Sequence, residues 1–141
     1  MNEFKFIDHP ADIAVEVKSD SIEGLFKISA EAWKISALEE FTAANCVEMK
    51  FELKDNSLEG MLVGFLSELN YLLYVKSFVF VSVKSLSLLT SGNYLLKAEL
   101  NFEEYNTKKH IFKEEIKAVT FHQMEIEKIN NIFCTRIIFD I

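Results

Sequence analysis

The chain has 141 residues, half of them hydrophobic and 26% charged, with a formal net charge of −7. Those values suit one globular domain with a real core and exclude an intrinsically disordered chain. Lys108-Lys109 is the only basic doublet, far short of a phosphate-reading surface, which argues against an autonomous nucleic-acid binder and favours a link to RNA through a protein partner.

Membrane and export signals are missing as well. No apolar run approaches the roughly 20 residues of a membrane span. The start, Met1-Asn2-Glu3-Phe4-Lys5, lacks the basic and apolar regions of a signal peptide. Cys46 and Cys134 are far apart without CxxC spacing, which suits a reduced, cytoplasmic location with both thiols buried as small hydrophobes.

In chain order, Phe4-Lys5-Phe6-Ile7 reads as a short strand, and the alternation of Ile13 to Lys18 predicts a second. Ile22, Leu25, Phe26, Ala32, Trp33 and Leu38 then recur at helical spacing, with Asp20 as the candidate N-cap and Glu23 three residues on, as in a capping box. Val47 to Lys54 alternates with period two, a third strand. Leu58, Met61, Leu62, Phe65, Leu69, Leu72 and Leu73 form the stripe of a second helix capped by Asn56 or Ser57, and Gly60 and Gly64 within it predict close packing. Phe78 to Leu89 and Tyr94 to Phe102 flank Ser91-Gly92-Asn93, a hairpin pattern, and Ala118 to Lys128 and Phe133 to Ile141 flank Asn130-Asn131. The expected fold is α+β: a single domain over residues 1–141, a mainly antiparallel sheet with two helices on one face, and a β-rich segment at about 77–113 as a candidate inserted layer.

Chemistry concentrates at the two ends. Asp8-His9-Pro10-Ala11-Asp12-Ile13 places two acids and a histidine beside a proline between two short strands, a pattern suited to a rigid site loop. At the other end, Phe139-Asp140-Ile141 offers an acid and a terminal carboxylate. If the first and last strands adjoin, Asp12, Asp140 and Ile141 converge. Gathered carboxylates then require raised pKa values or a hard cation such as Ca²⁺ or Mg²⁺. The plainer reading, in which Asp8 serves a turn, Asp12 a cap and Asp140 is simply solvated, stays open on the pattern alone. His9 would orient a carboxylate or bond local backbone, and Lys117 would hold a phosphate or carboxylate or else face solvent. His110 and His122 have no Ser or Cys at telling spacing, and no Gly-rich phosphate loop is present.

Taken together, the Asp8-to-Ile13 motif, the helix start Asp20-Ser21-Ile22-Glu23, the stretch Ile116-Lys117-Ala118-Val119-Thr120-Phe121-His122 and the ending Phe139-Asp140-Ile141 resemble the archeases, in matching order across essentially the whole chain. The resemblance implies an accessory protein, not an enzyme: a partner of the RtcB-type RNA-splicing ligase that promotes its metal-dependent guanylylation and multiple turnover in tRNA splicing. It places the family's metal ligands on Asp12, Asp140 and Ile141, with Asp8, His9 and Lys117 as supporting residues. The cation would be Ca²⁺ or Mg²⁺, or Mn²⁺ in complex with the ligase. Pro10 departs from the threonine usual in the family, removing a hydroxyl and an N–H from the loop. Two other classes remain as alternatives: a stand-alone metal-dependent hydrolase acting on phosphoesters, and a non-catalytic RNA–protein chaperone or interaction module.

Overall fold

The computed structural model describes residues 1–7, 12–121 and 124–141. Ten elements follow one another: β1 (Asn2–Ile7), β2 (Asp12–Ser19), α1 (Ile22–Ala37), β3 (Val47–Asp55), α2 (Leu58–Tyr74), β4 (Phe78–Leu89), β5 (Tyr94–Glu104), β6 (Ala118–Thr120), β7 (Glu127–Ile129) and β8 (Ile132–Asp140). The α+β class and the antiparallel pairing agree with the sequence reading. The strands, however, divide between two sheets. One runs β1-β2-β8-β6, with β7 also on β8; the other runs β3-β5-β4. The 78–104 hairpin therefore shares its sheet with β3.

The apolar faces explain the layering. Met49, Phe51 and Leu53 of β3 stand opposite Leu100, Ala98 and Leu96 of β5 in register, and these residues join the core cluster while the charged positions between them face away. Helix α1 packs on β1 and β2 and also on β4; α2 packs on β3 and β4 and also on β6. The helices therefore link the two sheets. This explains why Leu25, Phe26, Ala30 and Trp33 of α1, and Met61, Phe65, Leu66 and Leu69 of α2, are all buried, an arc wider than a one-sided surface helix needs. Among the described residues no helix is long and apolar enough to cross a membrane.

Local chemistry departs from expectation at four places. Ser21 caps α1, its hydroxyl accepting the Gly24 N–H at 2.9 Å, whereas Asp20 pairs with the Met1 amino group at 2.6 Å. The third helical position is thus a glycine, and no capping box forms. Ala118 to Lys128 is not one strand but β6 and β7. Between them the Ile126 N–H turns to the Glu59 carboxylate at 2.9 Å, and Thr135 donates to the Glu125 carbonyl at 2.9 Å, in place of a continuous ladder. Cys46 is exposed and Cys134 only half-buried. Finally, the close packing expected of both helical glycines occurs at one: a Cβ on Gly60 would collide with the Asp55 carboxylate, while a Cβ on Gly64 would meet nothing within 4 Å.

Alanine has the higher helix propensity, worth about 0.8–1 kcal/mol over glycine. Gly64→Ala is therefore expected to raise stability by roughly that amount. Gly60→Ala loses the gain by displacing Asp55, whose Oδ1 accepts the Ser57 N–H at 3.1 Å. Urea denaturation of the two variants checks the contrast.

Candidate functional site

The ends of the chain meet in the larger sheet. Strands β2 and β8 are antiparallel neighbours, and Asp12 stands directly opposite Asp140. Directly opposed residues of an antiparallel pair share a face, with Cβ atoms about 4.5–5.5 Å apart. Both carboxylates therefore rise from one face at one end of the sheet. On that face the next pair along is Ala14 and Ile138, both buried, so the acids stand beside an apolar floor. Asp140 is exposed and Asp12 half-buried.

The third strand closes the other flank. Ala118 of β6 is the register partner of Asp140, and the Lys117 N–H donates to the Asp140 carbonyl at 2.7 Å. Lys117 is exposed and Ile141 half-buried. Of the six residues singled out in the sequence, Asp12, Asp140, Ile141 and Lys117 are thus brought to one sheet end. Asp8 and His9, like Pro10 and His122, lie outside the described residues. Among the described residues no three His, Cys, Asp or Glu side chains gather closely enough to hold a metal ion; two facing carboxylates are what the strands supply. Oxygen donors of this kind fit a hard cation, and the absence of a thiolate from the pair argues against structural zinc.

A second ionic cluster escaped the sequence reading. Glu103, at the end of β5, is 3% exposed and His110 1% exposed. His110 Nδ1 accepts the Asn106 N–H at 2.9 Å, which leaves the ring proton on Nε2 to donate to Glu103 Oε1 at 2.6 Å. Lys109 Nζ lies 2.8 Å from the same oxygen, and Ala44 N–H donates to Oε2 at 2.8 Å. Phe41 meets the imidazole edge-on and Tyr105 stacks on it. His110 is therefore committed to a buried carboxylate that ties two loops to β5, not to a nucleophile. Its partner sits seven residues upstream, and no spacing rule pairs a strand-end acid with a loop histidine.

Burial pushes the Glu103 carboxyl up, but the Lys109, Ala44 and His110 hydrogen bonds and the Lys109 charge outweigh it and hold the group below its ordinary 4.5. A depressed carboxylate stabilises the fold above its unfolded pKa, and that stability is lost as pH falls from about 4.5 through the lower folded value. Glu103→Gln is expected to cost roughly 2–4 kcal/mol at neutral pH, since it leaves the Lys109 charge without its buried partner. The difference from wild type should shrink as pH falls through the carboxylate range, read as urea midpoints against pH.

Fold and acidic pair together define a small α+β protein with two carboxylates opposed at one end of its larger sheet. The archease protein family (MTH1598/TM1083) matches residues 4–141, and the chain belongs to that family. It is 32% identical over 129 residues to the protein archease of Pyrococcus furiosus, covering 92% of this chain and 91% of the relative. It is 31% identical over 139 residues to that of Methanosarcina mazei, covering 98% and 95%. The solution structure of Methanobacterium thermoautotrophicum protein 1598 aligns with a TM-score of 0.76 at 24% identity, over 98% of each chain. A crystal structure of an archease from Thermotoga maritima, described as a possible chaperone, aligns at 0.60 and 20% identity, over 97% of this chain and 96% of that one.

Proposed function

We propose that this chain is an accessory protein that activates an RtcB-type tRNA-splicing RNA ligase, promoting its metal-dependent guanylylation and multiple turnover through a carboxylate metal site. The observation that carries the reading is the direct opposition of Asp12 and Asp140 on β2 and β8, at the two positions where the archease motifs put acidic metal ligands. Asp12, Asp140 and the main-chain oxygen of Ile141 would hold a hard divalent cation, Ca²⁺ or Mg²⁺, or Mn²⁺ in complex with the ligase. Asp8 and His9 are the supporting residues the first motif adds.

The donor count suits a shared ion. Calcium takes six to eight oxygens, and the two strands offer two carboxylates besides the Ile141 oxygen, so water or groups of a partner would complete the shell. A cation held there supplies charge neutralisation and alignment of phosphate groups during nucleotidyl transfer. The chain's own contribution is positional: β2 and β8 present the acids at an exposed sheet end, Ala118 leaves the flank of Asp140 uncrowded, and Lys117 stands beside it. With a net charge of −7, the protein suits a cytoplasmic ligase whose RNA-binding face is basic, and it meets RNA only through that partner.

Multiple-turnover RNA ligation by an RtcB-type ligase with GTP tests the reading. Wild-type protein should stimulate turnover, while Asp12→Ala and Asp140→Ala should reduce the stimulation by roughly tenfold or more, the scale on which metal-site changes act. The same variants should lose the rise in melting temperature that Ca²⁺ confers on wild type, a rise equivalent to about 2.7 kcal/mol at a hundredfold excess over Kd. Stimulation that survives both substitutions would sink the metal-site mechanism.

A further inference from the structure

Residues 114–117 lead into β6 and deliver Lys117 and Ala118 to Asp140, yet they belong to no strand. Their backbone is held instead by side chains of the helical layer. The Asn70 amide of α2 donates to the Ile116 carbonyl at 2.9 Å. The Tyr74 hydroxyl, one turn further along α2, accepts the Ile116 N–H at 3.0 Å and lies 3.3 Å from the Glu114 carbonyl as its donor. Asn70 is itself oriented by α1, because Trp33 Nε1 donates to its Oδ1 at 3.0 Å. That bond settles which end of the Asn70 amide faces Ile116.

Both polar groups of the Ile116 backbone are thus satisfied by α2. The next N–H along the chain, that of Lys117, is the one bonded to the Asp140 carbonyl at 2.7 Å. Ile116 adds a side-chain anchor, 1% exposed in the core. The Tyr74 ring is stacked on Phe112 at 5.7 Å, which fixes the direction of its hydroxyl. Burial pushes the Tyr74 phenol up, partly opposed by the Ile116 N–H, and nearby Glu115 raises it further; the hydroxyl therefore stays protonated and able to donate at neutral pH.

We infer that Trp33, Asn70 and Tyr74 form a positioning relay from the helical layer to the acidic sheet end, setting where Lys117 and Ala118 stand against Asp140. The inference rests on the metal-site reading for its functional consequence, but the placement it describes is independent of any cation. None of the three is among the proposed metal ligands. They act through the Ile116 backbone, as outer groups tune a metal site by orienting what surrounds it.

Tyr74→Phe is the decisive variant, because it removes one oxygen and keeps the ring stack; Asn70→Leu is the second. Amide hydrogen exchange at Lys117 and Ca²⁺ affinity by calorimetry are read beside the melting temperature. In Tyr74→Phe the Lys117 amide should exchange at least tenfold faster while the β8 core amides keep wild-type rates. Ca²⁺ binding should weaken about tenfold, with the melting temperature lowered only by the loss of the single acceptor of the Ile116 N–H. Unchanged exchange at Lys117, or a uniform acceleration at every amide, overturns the relay, whatever becomes of Asn70→Leu. If the wild-type protein binds no Ca²⁺, the metal-site reading fails by itself, and the exchange rate of Lys117 still decides whether the relay exists.

Discussion

The pairing of β2 with β8 is the constraint on which the larger sheet and its site depend. Strand β8 is the common partner of β2, β6 and β7, so it joins the first strands of the chain to the last. Its register is set from the inner face, where Val15 and Val17 of β2 and Ile137 and Phe139 of β8 are fully buried. A slip of either strand by one residue would turn its two buried side chains outward and bring its polar set into the core. The opposition of Asp12 and Asp140 is therefore locked by hydrophobic burial on the reverse side of the strands that bear them. Each fully buried side chain of this kind contributes about 1.5–3 kcal/mol, more than repulsion between two solvated carboxylates can return.

The helical layer couples this sheet to the other one. Because both α1 and α2 contact strands of both sheets, they must be apolar over most of their circumference, and the few polar groups in that layer need partners. Trp33, Asn70 and Tyr74 find theirs in one another and in the 114–116 backbone. Satisfying those groups and placing Lys117 are one and the same arrangement. Glu103, His110 and Lys109 solve a similar problem by pairing charges, and they tie the loop before β3 and the loop after β5 to the end of β5.

Much of this was readable in the residue order. Period-two alternation located β2 and β3, strand-forming runs on either side of turn residues located β4, β5 and β8, each within a residue or two, and the helical stripes located α1 and α2. Asn130 and Asn131 both adopt positive φ, as their turn chemistry anticipates. The failures have identifiable causes. Asp20 yielded the cap to Ser21 because it was claimed by the amino group of Met1, a contact between residues far apart in sequence. The 118–128 segment broke into two short strands because Glu59 and Thr135 captured its backbone groups. Apolar alternation says that a strand has a buried face but not which sheet will bury it, so the separate β3-β5-β4 sheet could not be inferred.

By itself, the sequence determined most of the elements, their polarity, the antiparallel class and the acidic residues at the two ends, because each of these is written in local spacing and residue type. Whether Asp12 and Asp140 meet was beyond it. That depends on strand order and register, which are chosen by the sum of side-chain burial across residues distant along the chain. The same holds for the partner of His110 and for the helical side chains that hold Ile116. These contacts exist only once the core has closed, and only the tertiary structure could decide them.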